Sequence, residues 1–143
     1  MSAFMLPELI QLLNPLISTL IIAFFWVLWH VPAFLFTYGK EDPFLPFVLL
    51  VFALSFIFTW VYFKSGQNIL ISAVFHACIN ASANVADFSY YEDTVLFYWL
   101  FAGLMSLIAI LLLIVTKGQL GYDKVEFKAY IHELHDADLA LSK

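Results

Sequence analysis

Charged residues are scarce in this chain. They make up 12% of its 143 residues, whereas about 25% is usual in a soluble domain. Hydrophobic residues reach 64%, against about 45–50% in soluble proteins. This composition excludes an ordinary soluble globular domain. Lysine and arginine together number six and the net charge is −5, so no basic patch exists for nucleic-acid phosphates. We expect no nucleic-acid partner.

Cysteine is nearly absent too. Cys78 is the only one, which excludes an internal disulfide framework and a cysteine-rich zinc site. The opening segment MSAFMLPELIQLLNP has neither a basic stretch nor a small-residue cleavage site, so it is not typical of a signal peptide.

The sequence contains four long runs without any charged residue. They cover residues 9–39, 43–63, 65–86 and 94–116. A bilayer core about 30 Å thick is crossed by about 20 apolar residues in a helix. The runs therefore predict an all-α fold, a polytopic membrane helix bundle with four transmembrane helices at about 15–38, 44–63, 68–86 and 95–115.

A short amphipathic helix is predicted near the C-terminus, because Phe127, Ile131 and Leu134 recur there at helical spacing. His132 and His135, with two neighbouring acidic residues, have the chemistry of metal ligands. We prefer the interpretation of a solvated helix with ordinary histidines.

Basic residues near helix ends predict the orientation of the bundle. One side collects five lysines: Lys64, Lys117, Lys124, Lys128 and Lys143. The other side has Lys40 alone, among acidic residues. We therefore expect a multi-pass protein of the cell membrane, in contact with membrane lipid, with both termini cytoplasmic. Residues 1–116 form the membrane domain and residues 117–143 a cytoplasmic tail.

His30 is the only readily ionisable side chain in the run 9–39, within FWVLWHVP. An ionisable group at membrane depth is costly unless it is paired or faces a polar cavity, which makes it a functional-site candidate. The alternative is a histidine that bonds a backbone carbonyl and locks helices together. Pro32 removes a backbone donor two residues later, so we expect a kink next to His30.

A polar stripe runs along the third predicted span. Its members recur every four residues: Asn68, Ser72, His76, Asn80 and Asn84. At about 3.6 residues per turn they share one helix face, which we expect to face the bundle interior rather than lipid. Hydrogen bonding between helices, worth about 1–2 kcal/mol at most, is the alternative explanation. It accounts poorly for a second isolated histidine.

Two histidines in the membrane, His30 and His76, leave two kinds of chemistry open. Neutral imidazole binds zinc, and catalytic zinc sites usually take three protein ligands and leave one position open. Alternatively, imidazole and carboxamide groups can donate hydrogen bonds to the oxyanion that forms during peptide hydrolysis.

These residues lie in motifs that resemble a known family. WVLWHVP and HACIN resemble the FxxxH and HxxxN motifs of the CAAX-processing and bacteriocin-processing intramembrane proteases. That family includes type II CAAX prenyl endopeptidases and relatives of lysostaphin resistance protein A. Trp26 stands where the family usually has Phe, whereas His76 and Asn80 are intact. The resemblance covers roughly residues 2–116.

The resemblance implies an intramembrane metalloendopeptidase that hydrolyses a peptide bond in a membrane-presented, prenylated or leader-like peptide substrate. His30, His76 and Asn80 would be its catalytic residues. In the family schemes His30 orients the attacking water or binds a metal, and His76 with Asn80 polarises the carbonyl or completes the metal site. Zinc on His30 and His76 is therefore one expectation, and a metal-free scheme dependent on glutamate is the other.

The family's first motif, EExxxR, is missing. Residues 2–16 resemble the stretch that follows it, so its glutamates would precede Met1. Glu8 is the only acidic residue before Glu41, and it lies about 33 Å from His30 along a continuous helix. A fragment and a natural glutamate-less form both explain this, and we favour a truncated protein, inactive alone and exposing apolar surface for self-association. The alternative function is non-catalytic, in bacteriocin immunity or as a scaffold, with the histidines as packing residues.

Overall fold

The computed structural model describes residues 2–36, 43–86 and 94–141, and these ranges are almost wholly helical. Within them six α-helices follow one another: α1 (Ser2–Leu12), α2 (Pro15–Phe36), α3 (Phe44–Lys64), α4 (Ile69–Ala86), α5 (Thr94–Val115) and α6 (Lys124–Leu141). None of the described residues forms a strand. The predicted all-α fold is confirmed.

Three helices in the described part of the chain are long and apolar enough to cross a membrane, namely α2, α3 and α5. The helix α4 also lies where a span was predicted, but its apolar segment is shorter, Ile69–Ser82. Its 18 residues extend about 27 Å at a rise of about 1.5 Å per residue, close to the thickness of a bilayer core. This is the architecture of a multi-pass membrane protein.

The bounds of these helices follow the uncharged runs closely. The predicted end of the first span near residue 38 lies outside the described residues, as do residues 40–42 and 87–93, which separate the uncharged runs. Pro32 lies inside α2, which continues as one α-helix to Phe36.

The helix α3 is the centre of the bundle, because it packs against α2, α4 and α5, most extensively against α5. Ala53 of α3 and Ala109 of α5 belong to the same buried cluster, and such small side chains let helices approach closely. Thr19 of α2 and Thr59 of α3 share a buried hydrogen bond of 3.0 Å. Since the Thr19 hydroxyl donates to the Pro15 carbonyl at 2.8 Å, the Thr59 hydroxyl is the donor to Thr19.

A break separates α1 from α2, so the continuous helix assumed for Glu8 and His30 is wrong. The Asn14 side-chain oxygen accepts a hydrogen bond of 2.9 Å from the backbone N–H of Ile17 and caps α2. Pro15 is the first residue of α2, a position where its missing N–H costs nothing. Glu8 therefore lies on a separate helix, with an exposed side chain.

A tight turn places α4 beside α3. Gly66 has φ +67°, a left-handed conformation that glycine adopts without a steric penalty. The N–H of Gln67 then donates to the carbonyl of Tyr62 at 2.8 Å. The Asn68 side chain caps α4 by accepting a hydrogen bond of 2.9 Å from the N–H of Leu70. The chain thus reverses direction within a few residues.

The helix α6 folds back onto the bundle. Phe127 is only 3% exposed and shares a buried cluster with Leu6 of α1 and Phe63 of α3. Ile131 packs against this cluster, whereas Leu134 is 48% exposed. Two of the three predicted apolar positions thus face the protein. The four neighbouring candidate metal ligands are all exposed: His132, Glu133, His135 and Asp136.

Candidate active site

His30 lies on α2, half-buried, with its ring fixed by its own helix. Its Nδ1 lies 2.8 Å from the carbonyl oxygen of Trp26, one turn earlier. A carbonyl only accepts hydrogen bonds, so Nδ1 carries the hydrogen, and Nε2 keeps its lone pair while the ring is neutral. The ring also meets Phe47 of α3, with 5.1 Å between centroids. The alternative interpretation of His30 placed a hydrogen bond to a backbone carbonyl between two helices. The structure instead has this hydrogen bond within α2.

His76 lies on α4, also half-buried, and is held by aromatic rings of two other helices. It stacks on Phe58 of α3 with 5.3 Å between ring centroids and 11° between planes. Its ring also lies 5.3 Å from that of Trp26, centroid to centroid. Because α4 follows a tight turn after α3, His76 comes to the level of Phe58.

Trp26 connects the two histidines. Its ring centroid is 6.4 Å from that of His30, 5.3 Å from that of His76 and 5.7 Å from that of Phe58. The aromatic residue of the FxxxH motif therefore contacts both histidines, which are far apart in the sequence. We call Trp26, His30, Phe58 and His76 the histidine cluster.

Asn80 follows His76 by one turn of α4, and its side chain is exposed. Of the predicted polar stripe, Ser72 and His76 are half-buried, Asn68 is exposed at the start of α4, and the side chain of Asn84 lies outside the described residues. The expectation that the stripe faces the bundle interior thus fails for Asn68 and Asn80. The reason is that, of the described helices, α4 packs chiefly against α3.

A metal at this site would find two imidazole ligands, His30 and His76. In the part of the chain that the structure describes, no group of three or more His, Cys, Asp or Glu side chains comes together. Catalytic zinc usually takes three protein ligands, so the described residues offer an incomplete set. The predicted zinc on His30 and His76 stays a prediction.

The site can donate hydrogen bonds but contains no carboxylate. The sequence of α2, α3, α4 and α5 has no Asp or Glu. An imidazole and a carboxamide one turn apart can polarise a carbonyl group. A general base for water must come from His30 or from a group outside these helices.

Two residues of the surroundings were not predicted, Phe47 and Phe58. Both belong to α3, whose sequence contains several phenylalanines, and nothing in the pattern distinguishes these two from the others. The aromatic position at the start of the FxxxH motif, occupied here by Trp26, was the only sequence signal that aromatic rings pack around the histidines.

Comparison with known proteins gives one match. The sequence model described as type II CAAX prenyl endopeptidase Rce1-like matches residues 1–82, which is more than half of the chain. That range includes α1, α2, α3 and the part of α4 that carries His76 and Asn80. No curated protein and no solved structure matches the chain.

Proposed function

Since this chain belongs to the type II CAAX prenyl endopeptidase family, as the two motifs indicated, we propose that it provides the histidine site of an intramembrane endopeptidase. The reaction is hydrolysis of a peptide bond in a membrane-presented, prenylated substrate. One observation carries the proposal: His30 and His76, from two helices, contact the same indole ring.

His30 has the role of holding the attacking water. Its Nδ1–H is engaged by the Trp26 carbonyl, so Nε2 is the nitrogen left to accept a hydrogen bond from water. A ring N–H donated to a backbone carbonyl is also the usual device that fixes the tautomer and orientation of a functional histidine. The hydrogen bond to Trp26 thus sets which nitrogen faces the substrate.

His76 and Asn80 have the role of donating hydrogen bonds to the carbonyl oxygen of the scissile bond. Removing one such donor from an oxyanion site typically costs about 3–4 kcal/mol of transition-state stabilisation. The stack on Phe58 holds the His76 ring before substrate arrives, so little ordering is needed during the reaction. Zinc bound to His30 and His76 would supply Lewis acidity toward the same oxygen.

The proposed site lacks a carboxylate to act as the general base. His30 could take the proton, but it would have no carboxylate to orient it. General-base catalysis contributes about 10²–10⁴-fold, and the helices that carry the site contain no carboxylate. We therefore expect a protein of this exact sequence, purified in detergent or lipid, to cleave a prenylated test peptide at the background rate.

Adding a helix with EExxxR before Met1 tests this assignment. The extended protein should cleave the peptide at least about 100-fold faster. His30→Ala and His76→Ala should each return the rate to background, whereas His132→Ala, at an exposed position on α6, should not change it. Robust turnover by the unextended chain would show that the base lies elsewhere and that the assigned roles are wrong.

A non-catalytic role, in bacteriocin immunity or as a scaffold, is the second candidate. The observation that favours it is the parallel stack of His76 on Phe58, which a purely packing residue would also make. The two candidates differ in the effect expected when the imidazole of His76 is replaced by a phenyl ring. A packing residue tolerates this change, whereas a hydrogen-bond donor loses its role.

A further inference from the structure

A groove of about 570 Å³ opens at the end of the bundle where α2 begins. It lies between the break that separates α1 from α2 and the first three turns of α6. Its apolar wall includes Ile10, Leu13 and Phe127. None of the residues assigned above to the histidine cluster lines it, so the groove is a separate feature of the molecule.

One face of α6 makes the groove basic. Lys124, Lys128 and His132 all line it, and their spacing of four residues places them one above another on the helix. No Asp or Glu side chain is among the groove's lining residues. Two lysines four residues apart on a helix repel each other, and an anion held near both ammonium groups would relieve that repulsion.

The groove lies at the level expected for lipid head groups. Pro15, the first residue of α2, and Gln119, just after the last residue of α5, both line it. These positions mark the ends of two apolar helices that are long enough to cross the membrane. A groove at such a level presents its basic face to phosphates and its apolar wall to the adjoining acyl chains.

We propose that this groove binds an anionic phospholipid of the adjacent leaflet, with Lys124 and Lys128 at the phosphate. Leu12, which is 83% exposed, and the half-buried Leu13 line the groove and contact the glycerol and upper acyl carbons. The helix α6 lies outside the range matched by the family model, residues 1–82. The groove also shares no residue with the histidine cluster, so lipid binding can be tested separately from the proposed peptidase chemistry.

The test compares two double variants that lose the same charge. The chain is reconstituted in nanodiscs that contain phosphatidylcholine and phosphatidylglycerol, and retained lipid is counted by native mass spectrometry. The wild type should retain phosphatidylglycerol in preference to phosphatidylcholine. Lys124→Gln with Lys128→Gln should weaken this retention by about 30-fold, given the usual contribution of each lysine near an anionic membrane surface.

The control is Lys64→Gln with Lys117→Gln. Both lysines are exposed at the same end of the bundle but do not line the groove, so retention should stay near the wild-type value. Lys124→Arg with Lys128→Arg, which keeps the charge, should also retain the lipid, and circular dichroism should give the same helix content for every variant.

Three outcomes would overturn the proposal. Equal losses in the two glutamine variants would show general attraction to an anionic surface instead of a site. Equal retention of phosphatidylcholine would show that the phosphate charge is not recognised. Displacement of the lipid by soluble glycerol phosphate would show a site for free phosphate and not for a phospholipid.

Discussion

The imidazole of His76 lies parallel to the ring of Phe58, with 5.3 Å between centroids and 11° between planes. A phenyl ring is one atom larger than an imidazole, and it can stack in the same offset manner. This contact therefore provides a way to separate the packing role of His76 from its chemical role.

His76→Phe, introduced into the protein extended by EExxxR, should keep the fold and lose the reaction. We expect a loss of less than about 1.5 kcal/mol in the free energy of unfolding, at the low end of the cost of enlarging a packed side chain, because His76 is only half-buried. Peptide cleavage should fall to background because a phenyl ring donates no hydrogen bond. The measurements are thermal unfolding and cleavage of the prenylated peptide. A variant that unfolds normally and still cleaves would favour the packing role.

Trp26→Ala should disturb both histidines at once. The indole contacts each ring, and one aromatic pair contributes about 0.5–1.5 kcal/mol. In NMR spectra of the chain with isotope-labelled histidine, the ring signals of His30 and His76 should both shift, while those of His132 and His135 stay in place. Trp26→Phe should give smaller shifts, since a phenyl ring can still pack there.

Trp29→Ala is the matched control for that experiment, because Trp29 lies on the same helix and is 72% exposed. It should leave the His76 signal unchanged. Equal shifts of His76 in the Trp26 and Trp29 variants would contradict the contacts of the histidine cluster.

Thr59→Val should weaken the attachment of α2 to α3. It removes the donor of the buried hydrogen bond to Thr19 and preserves the shape of the side chain. Hydrogen bonds between membrane helices average about 0.6 kcal/mol, with a maximum of about 1.7 kcal/mol. We expect a loss in this range when the free energy of unfolding is measured in mixed micelles.

Ser55→Ala serves as the comparison for Thr59→Val. Ser55 is buried on the same helix, but its hydroxyl donates to Val51 of α3 itself at 2.8 Å. A double-mutant cycle of Thr19 and Thr59 should show coupling, whereas a cycle of Thr19 and Ser55 should show none. Absence of coupling in the first cycle would mean that the two threonines do not stabilise the helix pair.

The C-terminus should be cytoplasmic. One side of the bundle carries Lys64 at the end of α3, Lys117 just after α5, and Lys124 and Lys128 on α6. Basic residues favour the cytoplasmic side of membrane proteins. A reporter fused after Lys143 should therefore be active only in the cytoplasm. A periplasmic or extracellular readout would reverse the predicted orientation.

The helices were predictable because the cost of placing charge in a bilayer limits each span to an uncharged run. Accordingly, α3 ends at Lys64, the first charged residue after its run, and α5 begins at Thr94, directly after Asp93 in the sequence. The break before α2 was also signalled, since Asn14 followed by Pro15 is a helix start. The distance of about 33 Å between Glu8 and His30 nevertheless assumes one continuous helix, because the apolar pattern continues across the break.

The contacts between helices were less predictable. The motifs predict that His30 and His76 belong to one site, but the sequence does not reveal that Trp26 touches both. The exposure of Asn80 shows a limit of another kind. A helical repeat identifies which side chains share a face, whereas the neighbours of that face depend on how the other helices pack.

The shared cluster of Leu6 and Phe127 has a consequence for the order of events during synthesis. Chains emerge from the ribosome N-terminal end first, so α1 is made long before its packing partner on α6. Until Phe127 has been translated, the apolar face of α1 lacks that partner. Burial of α1 is therefore completed only after α6 has been made.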